Sequence, residues 1–164
     1  MKHLLFVLTF LLAPFSAIAD GGAAPPVYIY WFSSEQDNFD MSMIAKAVAA
    51  EVRRAPLATK VFIVGPSGDF TTHEIVNRNL ASKAVQGLIE HMAPPKHPAH
   101  RRTPDFRAMI RRDVYPANRI TVFGEKPDAL PGLPETQVRH YSVEFLQSHV
   151  FDGKTWQRYD SQGE

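Results

Sequence analysis

Three short runs constrain this chain more than anything else in it: Val27-Tyr28-Ile29-Tyr30-Trp31-Phe32, Lys60-Val61-Phe62-Ile63-Val64-Gly65 and Arg119-Ile120-Thr121-Val122-Phe123-Gly124. The first is six consecutive β-branched or aromatic residues, and none of the three alternates apolar with polar side chains along its length. A strand with one wet face must alternate, so such runs belong to strands covered on both faces, the situation of a parallel sheet between layers of helix. The segments between them read accordingly. Ser33 to Asp40 is polar and turn-like, and Asp40 is positioned to cap a helix running to about Ala55, with Phe39 and Ile44 at the two positions of a hydrophobic staple. Ile44, Val48 and Val52 share one face of that helix, and Pro56 helps to end it.

The pattern then repeats. Pro66 to Phe70 is a glycine-containing loop, and Thr71-Thr72-His73-Glu74 has the Thr-x-x-Glu form of a capping box, which predicts a second helix from there to about Met92. Ile75, Val76, Leu80, Ala84, Val85, Leu88, Ile89 and Met92 keep helical spacing across it. Pro94 to Arg102 breaks regularity. Thr103 followed by Pro104 starts a third helix, which turns Phe106, Met109 and Ile110 inward. Glu125 to Glu135 holds three prolines, Val138 to Val143 suits a fourth strand nearer an edge, and Asp152-Gly153 is a two-residue hairpin signal between His149-Val150-Phe151 and Lys154-Thr155-Trp156. The expected fold is a three-layer α/β sandwich with a mostly parallel sheet, in a Rossmann-like or von Willebrand A-like layout, with a C-terminal antiparallel extension.

Met1 to Ala19 reads as a cleavable signal peptide: Lys2 and His3 first, then the apolar Leu4 to Leu12, then Ala17-Ile18-Ala19 as a small-x-small cleavage site. Residues 20–26 form a Gly/Ala/Pro-rich lead-in, and 27–164 a single domain. Export to the periplasm or beyond is the expectation, with no stable transmembrane insertion of the mature chain, because no later run of about 18 apolar residues exists. Lys2 is the one Lys or Arg in the leader, so without it the 18 basic residues become 17 and balance the 17 acidic ones. That argues against a generally cationic nucleic-acid binder. With 45% hydrophobic and 21% charged residues the composition is globular, and the absence of cysteine excludes disulfides, thiolate metal sites and a cysteine nucleophile.

In open parallel sheets ligands bind beyond the carboxyl ends of the strands. Three loops meet that description: Ser33 to Asn38, Pro66 to Thr71, and Glu125 to Asp128. Ser34 or Ser67 with His73 and Asp37 or Asp69 supply the residue types of a Ser/His/Asp hydrolase, although Gly65-Pro66-Ser67-Gly68 lacks the Gly-x-Ser-x-Gly spacing of a nucleophile elbow. No dinucleotide cofactor is expected, since Gly65 and Gly68 form neither Gly-x-Gly-x-x-Gly nor a P-loop. The first strand with its serine-bearing loop resembles a von Willebrand A domain, whose motif is Asp-x-Ser-x-Ser. Here Trp31-Phe32-Ser33-Ser34-Glu35 puts Trp31 or Phe32 where the aspartate belongs, so the resemblance implies the sandwich and not the family's metal-dependent adhesion site.

Two further clusters stand out. His91, His97 and His100 fall within ten positions, with His140 and His149 joining if the fold brings them close, and they are candidate ligands for Zn²⁺ or Cu²⁺. From Pro94 to Asp113, Lys96, Arg101, Arg102, Arg107, Arg111 and Arg112 face only Asp105 and Asp113, a local excess of four positive charges in a neutral mature chain. The expected function is a non-enzymatic envelope interaction or assembly component. It would recognise an envelope protein or an anionic envelope surface through Lys96, Arg101, Arg102, Arg107 and Arg111 together with Ser34, Asp37 and Asp69 in the strand-end loops. A periplasmic hydrolase and a histidine-loop metal binder are the alternatives.

Overall fold

A computed structural model describes residues 25–33, 36–66, 70–92, 119–126 and 138–159. The elements follow in the order β1 (Val27–Phe32), a 3-10 turn at Gln36–Asn38, α1 (Met41–Arg54), β2 (Lys60–Val64), β3 (Phe70–Glu74), α2 (Arg78–Glu90), β4 (Arg119–Phe123), β5 (Val138–Tyr141), α3 (Val143–Ser148), β6 (His149–Phe151) and β7 (Trp156–Arg158). Five strands form one sheet in the order β3-β2-β1-β4-β5, and β6 pairs with β7 in a separate antiparallel ribbon. β1 is parallel to both β2 and β4, and β5 is parallel to β4. The three apolar runs are therefore the three interior strands, as their lack of alternation requires.

Both faces of the sheet are buried, which makes it the middle layer of an α/β sandwich. On one face Tyr30, Phe32, Val61, Ile63 and Phe123 pack with Ile44, Val48 and Val52 of α1, Val85 and Ile89 of α2, and Leu146 of α3. On the other, Val27, Ile29, Trp31, Phe62, Val64, Ile120 and Val122 form a second buried cluster to which no described helix contributes. Each such side chain removed from water contributes roughly 1.5–3 kcal/mol, so an apolar residue at every position of β1 is repaid on both sides.

α1 begins where expected. Asp40 adopts extended backbone and its Oδ1 accepts from the Met43 amide at 3.1 Å. The helix ends at Arg54, just before Pro56, and Arg78 at the start of α2 donates from Nε to the Ala55 carbonyl at 2.8 Å, placing a cation at the negative end of the α1 dipole. The two helices meet through small residues: Ala45, Ala49, Ala81 and Ser82 are all buried, and the Ser82 hydroxyl donates to the Ala49 carbonyl at 2.8 Å.

Three expectations are corrected. Thr71 to Glu74 is not a capping box: Phe70–Glu74 is an antiparallel edge strand paired with β2 from Val64↔Phe70 to Lys60↔Glu74. β-branched Thr71 and Thr72 beside Phe70 suit a strand, and pairing with a buried neighbour outweighs a local capping pattern. The cap of α2 is Asn77, whose Oδ1 accepts from the amides of Asn79 (3.0 Å) and Leu80 (3.2 Å). Second, β5 stops at Tyr141, and a short helix capped by Ser142 occupies Val143–Ser148. Third, the β6–β7 loop has four residues, not two. Phe151 pairs with Trp156, and Asp152 Oδ1 accepts from the amides of Lys154 (2.7 Å) and Thr155 (2.8 Å). Gly153 at φ +99° supplies a conformation that side chains disfavour. The helix expected from Thr103 lies outside the described residues.

Candidate functional site

The chain's strand order reverses between β1 and β4, and the carboxyl ends of two such strands are where this kind of sheet ordinarily opens a crevice. Here that crevice is stitched. The Ser33 amide donates to the Phe123 carbonyl at 2.9 Å, and its hydroxyl lies 2.5 Å from the Glu125 carbonyl, to which it donates. One residue further along β4 the Gly124 amide reaches the Tyr141 carbonyl of β5 (2.9 Å), and His140 Nε2 donates back to the Gly124 carbonyl (2.7 Å). Gln147 of α3 ties on the 3-10 turn through the Asn38 carbonyl (3.2 Å). Around this end Asp37, Asp40, Glu125 and Lys126 are exposed.

The candidates from sequence fall as follows. Ser34, Ser67 and Asp69 lie outside the described residues, as do Lys96, Arg101, Arg102, Arg107, Arg111, His97 and His100. His73 sits on β3 opposite Val61 rather than in a helix's first turn, with its Nε2 buried and unpartnered among the described residues. Each other described histidine donates a ring N–H to a backbone carbonyl: His91 to Gly87 (2.7 Å), His140 to Gly124, and His149 to Phe145 (2.9 Å). Those three serve helix ends and strand ends. No group of three or more His, Cys, Asp or Glu side chains among the described residues is placed to hold a metal ion.

The structure also contains a site that the strand-end argument missed. A cavity of about 480 Å³ lies on the α1 side of the sheet, over β4 and β5, with the C-terminal half of α1 on one flank and the β6–β7 hairpin on the other. Its floor is built by pairing register. Tyr30 of β1 stands beside Thr121 of β4, which stands beside Arg139 of β5, so three polar groups form one cross-strand row. Arg119 projects two residues before Thr121 on the same face, and Phe32, Phe123 and Tyr141 form the next row, with ring centroids 5.0 and 5.5 Å apart. Trp156 of the hairpin closes on Tyr141 at 5.3 Å.

Glu51 of α1 is the hub. Its carboxylate accepts from the Tyr30 hydroxyl at 3.0 Å, pairs closely with Arg139, and lies 3.7 Å from Arg119 Nη1. Arg119 also stacks over the Tyr28 ring, 4.9 Å from its centroid. Burial first, and then the adjacent carboxylate, push the Tyr30 phenol well above its ordinary range, so it is a neutral O–H donor at physiological pH. Burial opposes the charge on Arg139, but Glu51 and Tyr141 outweigh it and raise its pKa, so that guanidinium is a fixed cation. Arg54 and Lys154 line the same cavity, giving four cations to one carboxylate among its described lining. The available signal was a polar residue at an inward position of an otherwise apolar strand, as Thr121 is, but nothing in β4 alone says which partners surround it.

No protein-family model, no curated protein and no solved structure gave a match to this chain. The described residues include no helix long and apolar enough to cross a membrane.

Proposed function

We propose that the protein is an exported, non-enzymatic component of the cell envelope that recognises a protein partner through its strand-end loops and the basic segment from Pro94 to Arg112. The observation that carries this reading is the stitching of the switch point. Where a sheet of this kind admits a small substrate, Ser33 spends its amide and hydroxyl on Phe123 and Glu125, so the strand ends present a tied polar surface instead of a reactive crevice. A surface pre-ordered by its own hydrogen bonds loses little freedom on docking, which favours recognition. Asp37 and Lys126 offer charges of both signs at its border, and the arginines of the basic segment suit the carboxylates of an acidic partner.

Co-purification from detergent-solubilised envelopes, with full-length chain expressed in the exporting host, tests the proposal. Reversing Arg101, Arg102, Arg107 and Arg111 to Glu should remove the partner recovered with the unaltered chain, and Asp37→Lys should weaken recovery. Unchanged recovery from the quadruple variant would overturn the assignment. Mass spectrometry of the exported protein should find an amino terminus at Asp20.

A further inference from the structure

The geometry points to the cavity over β4 and β5 as a binding site for a small ring-bearing organic anion, its carboxylate or phosphate received by Arg139, Arg119 and the Thr121 hydroxyl and its ring by Tyr141 and Trp156. The site lies on the face of the sheet and not at the strand ends, so the partner reading neither requires it nor supplies it.

Three independent features meet there. The first is charge. Arg119 and Arg139 both lean on Glu51, and one carboxylate cannot neutralise two guanidiniums, while Arg54 and Lys154 add two more cations at the cavity wall. Guanidinium presents its donors in a planar fork that fits carboxylate and phosphate oxygens. The second is Thr121. Its side chain is buried, with 1% of the residue exposed, and its Oγ1 has no hydrogen-bond partner among the described residues. Leaving a hydroxyl dry and unpaired is costly, and valine has nearly the same shape without that cost. A threonine lining the floor beside Arg139, in pairing register with it, is accounted for by a ligand oxygen that accepts its proton. The third is the wall: Tyr141 and Trp156 stand 5.3 Å apart and Phe151 stands 5.5 Å from Trp156, an aromatic lining suited to a planar ring. A volume of about 480 Å³ is in the range of small-molecule sites, roughly 300–1,000 Å³.

Glu51 sharpens the prediction because it competes with the ligand. It occupies the guanidiniums that an incoming anion needs, so removing its charge should tighten binding, whereas a purely structural ion pair predicts loss or no change. Isothermal titration of the full mature chain with benzoate, phenyl phosphate, inorganic phosphate and neutral benzamide tests this. Saturable binding of benzoate or phenyl phosphate is expected, at least tenfold tighter than benzamide, and whichever of the two binds tighter identifies the oxyanion. Thr121→Val should weaken that probe several-fold without lowering the melting temperature. Arg139→Gln should weaken it about tenfold, and Glu51→Gln should strengthen it. Lys154→Gln, on the exposed hairpin, keeps the test available if a change at Glu51 or Arg139 disturbs folding, and should weaken binding about two-fold. Absence of saturable binding by both ring-bearing anions, or equal affinity for benzamide, would overturn the anion site. Equal affinity for inorganic and phenyl phosphate would overturn the part played by the ring, and weaker binding by folded Glu51→Gln would overturn the competition.

Discussion

The hydroxyl of Tyr30 is held on two counts: the residue is buried between α1 and the sheet, and the hydroxyl donates to Glu51 at 3.0 Å. A hydrogen bond to a charged acceptor is worth about 1.5–3 kcal/mol, so Tyr30→Phe should cost about 2 kcal/mol at pH 7 in urea unfolding. The pH dependence has a definite sign. The folded pKa is raised above the unfolded value near 10, so the stability due to Tyr30 is complete below about pH 10 and is lost as pH rises from there toward the folded pKa. The difference between wild type and Tyr30→Phe should therefore be constant from pH 6 to 9 and shrink above 10; a difference that grows with alkalinity would contradict the arrangement. Ala58 makes a second claim at this scale. It is exposed at φ +63°, a region that costs an L-residue about 1–2 kcal/mol, while glycine loses roughly 0.5–1 kcal/mol more on folding. Ala58→Gly should thus stabilise by about 0.5 kcal/mol, visible as a small rise in melting temperature.

At the scale of elements, the chain was legible where burial on both sides dictated composition and misread where two local rules disagreed. β1, β2 and β4 announced themselves because all but one position of each is buried, on one face or the other, and α1 because Asp40 and the spacing of Ile44, Val48 and Val52 agree. Thr71-Thr72-His73-Glu74 satisfied a capping pattern while also carrying strand formers, and only the neighbouring β2 decides between them. A direct comparison separates the two readings. Asn77→Ala removes the acceptor for two amides at the start of α2 and should destabilise by about 1 kcal/mol. Thr71→Ala, on an exposed edge position, should cost less than half of that in the same chemical denaturation. Equal losses would restore the capping box. The cavity was less legible still, for a topological reason: Tyr30 and Glu51 are 21 positions apart and Glu51 and Arg139 are 88 apart, so no local window contains the constellation. His140 and His149 add a further case, since each donates one ring N–H to a backbone carbonyl that no spacing in the sequence announces.

For the whole molecule, the layering implies a hierarchy of opening. β1 is hydrogen-bonded on both edges and buried on both faces, whereas β3 has one edge unpaired among the described residues and mostly exposed side chains, and β6–β7 is a two-stranded ribbon held to the body by Trp156 against Tyr141 and Phe145. Isolated two-stranded ribbons are marginal, so the hairpin should open without the sheet, and its amides should exchange well ahead of those of β1, which open only with global unfolding. The same hairpin supplies Phe151, Lys154 and Trp156 to the cavity. Its opening and the binding of an anion there are then linked: a ligand held between Arg139 and Trp156 binds only the closed state and must slow exchange in β6–β7 by the factor 1 + [L]/Kd. About a hundredfold slowing is expected with benzoate or phenyl phosphate at a hundred times its Kd, while β3, remote from the cavity lining, keeps its own rate. Uniform slowing across β3 and the hairpin alike would mean that the anion stabilises the protein as a whole, and that the ribbon is not an independently opening wall of the site.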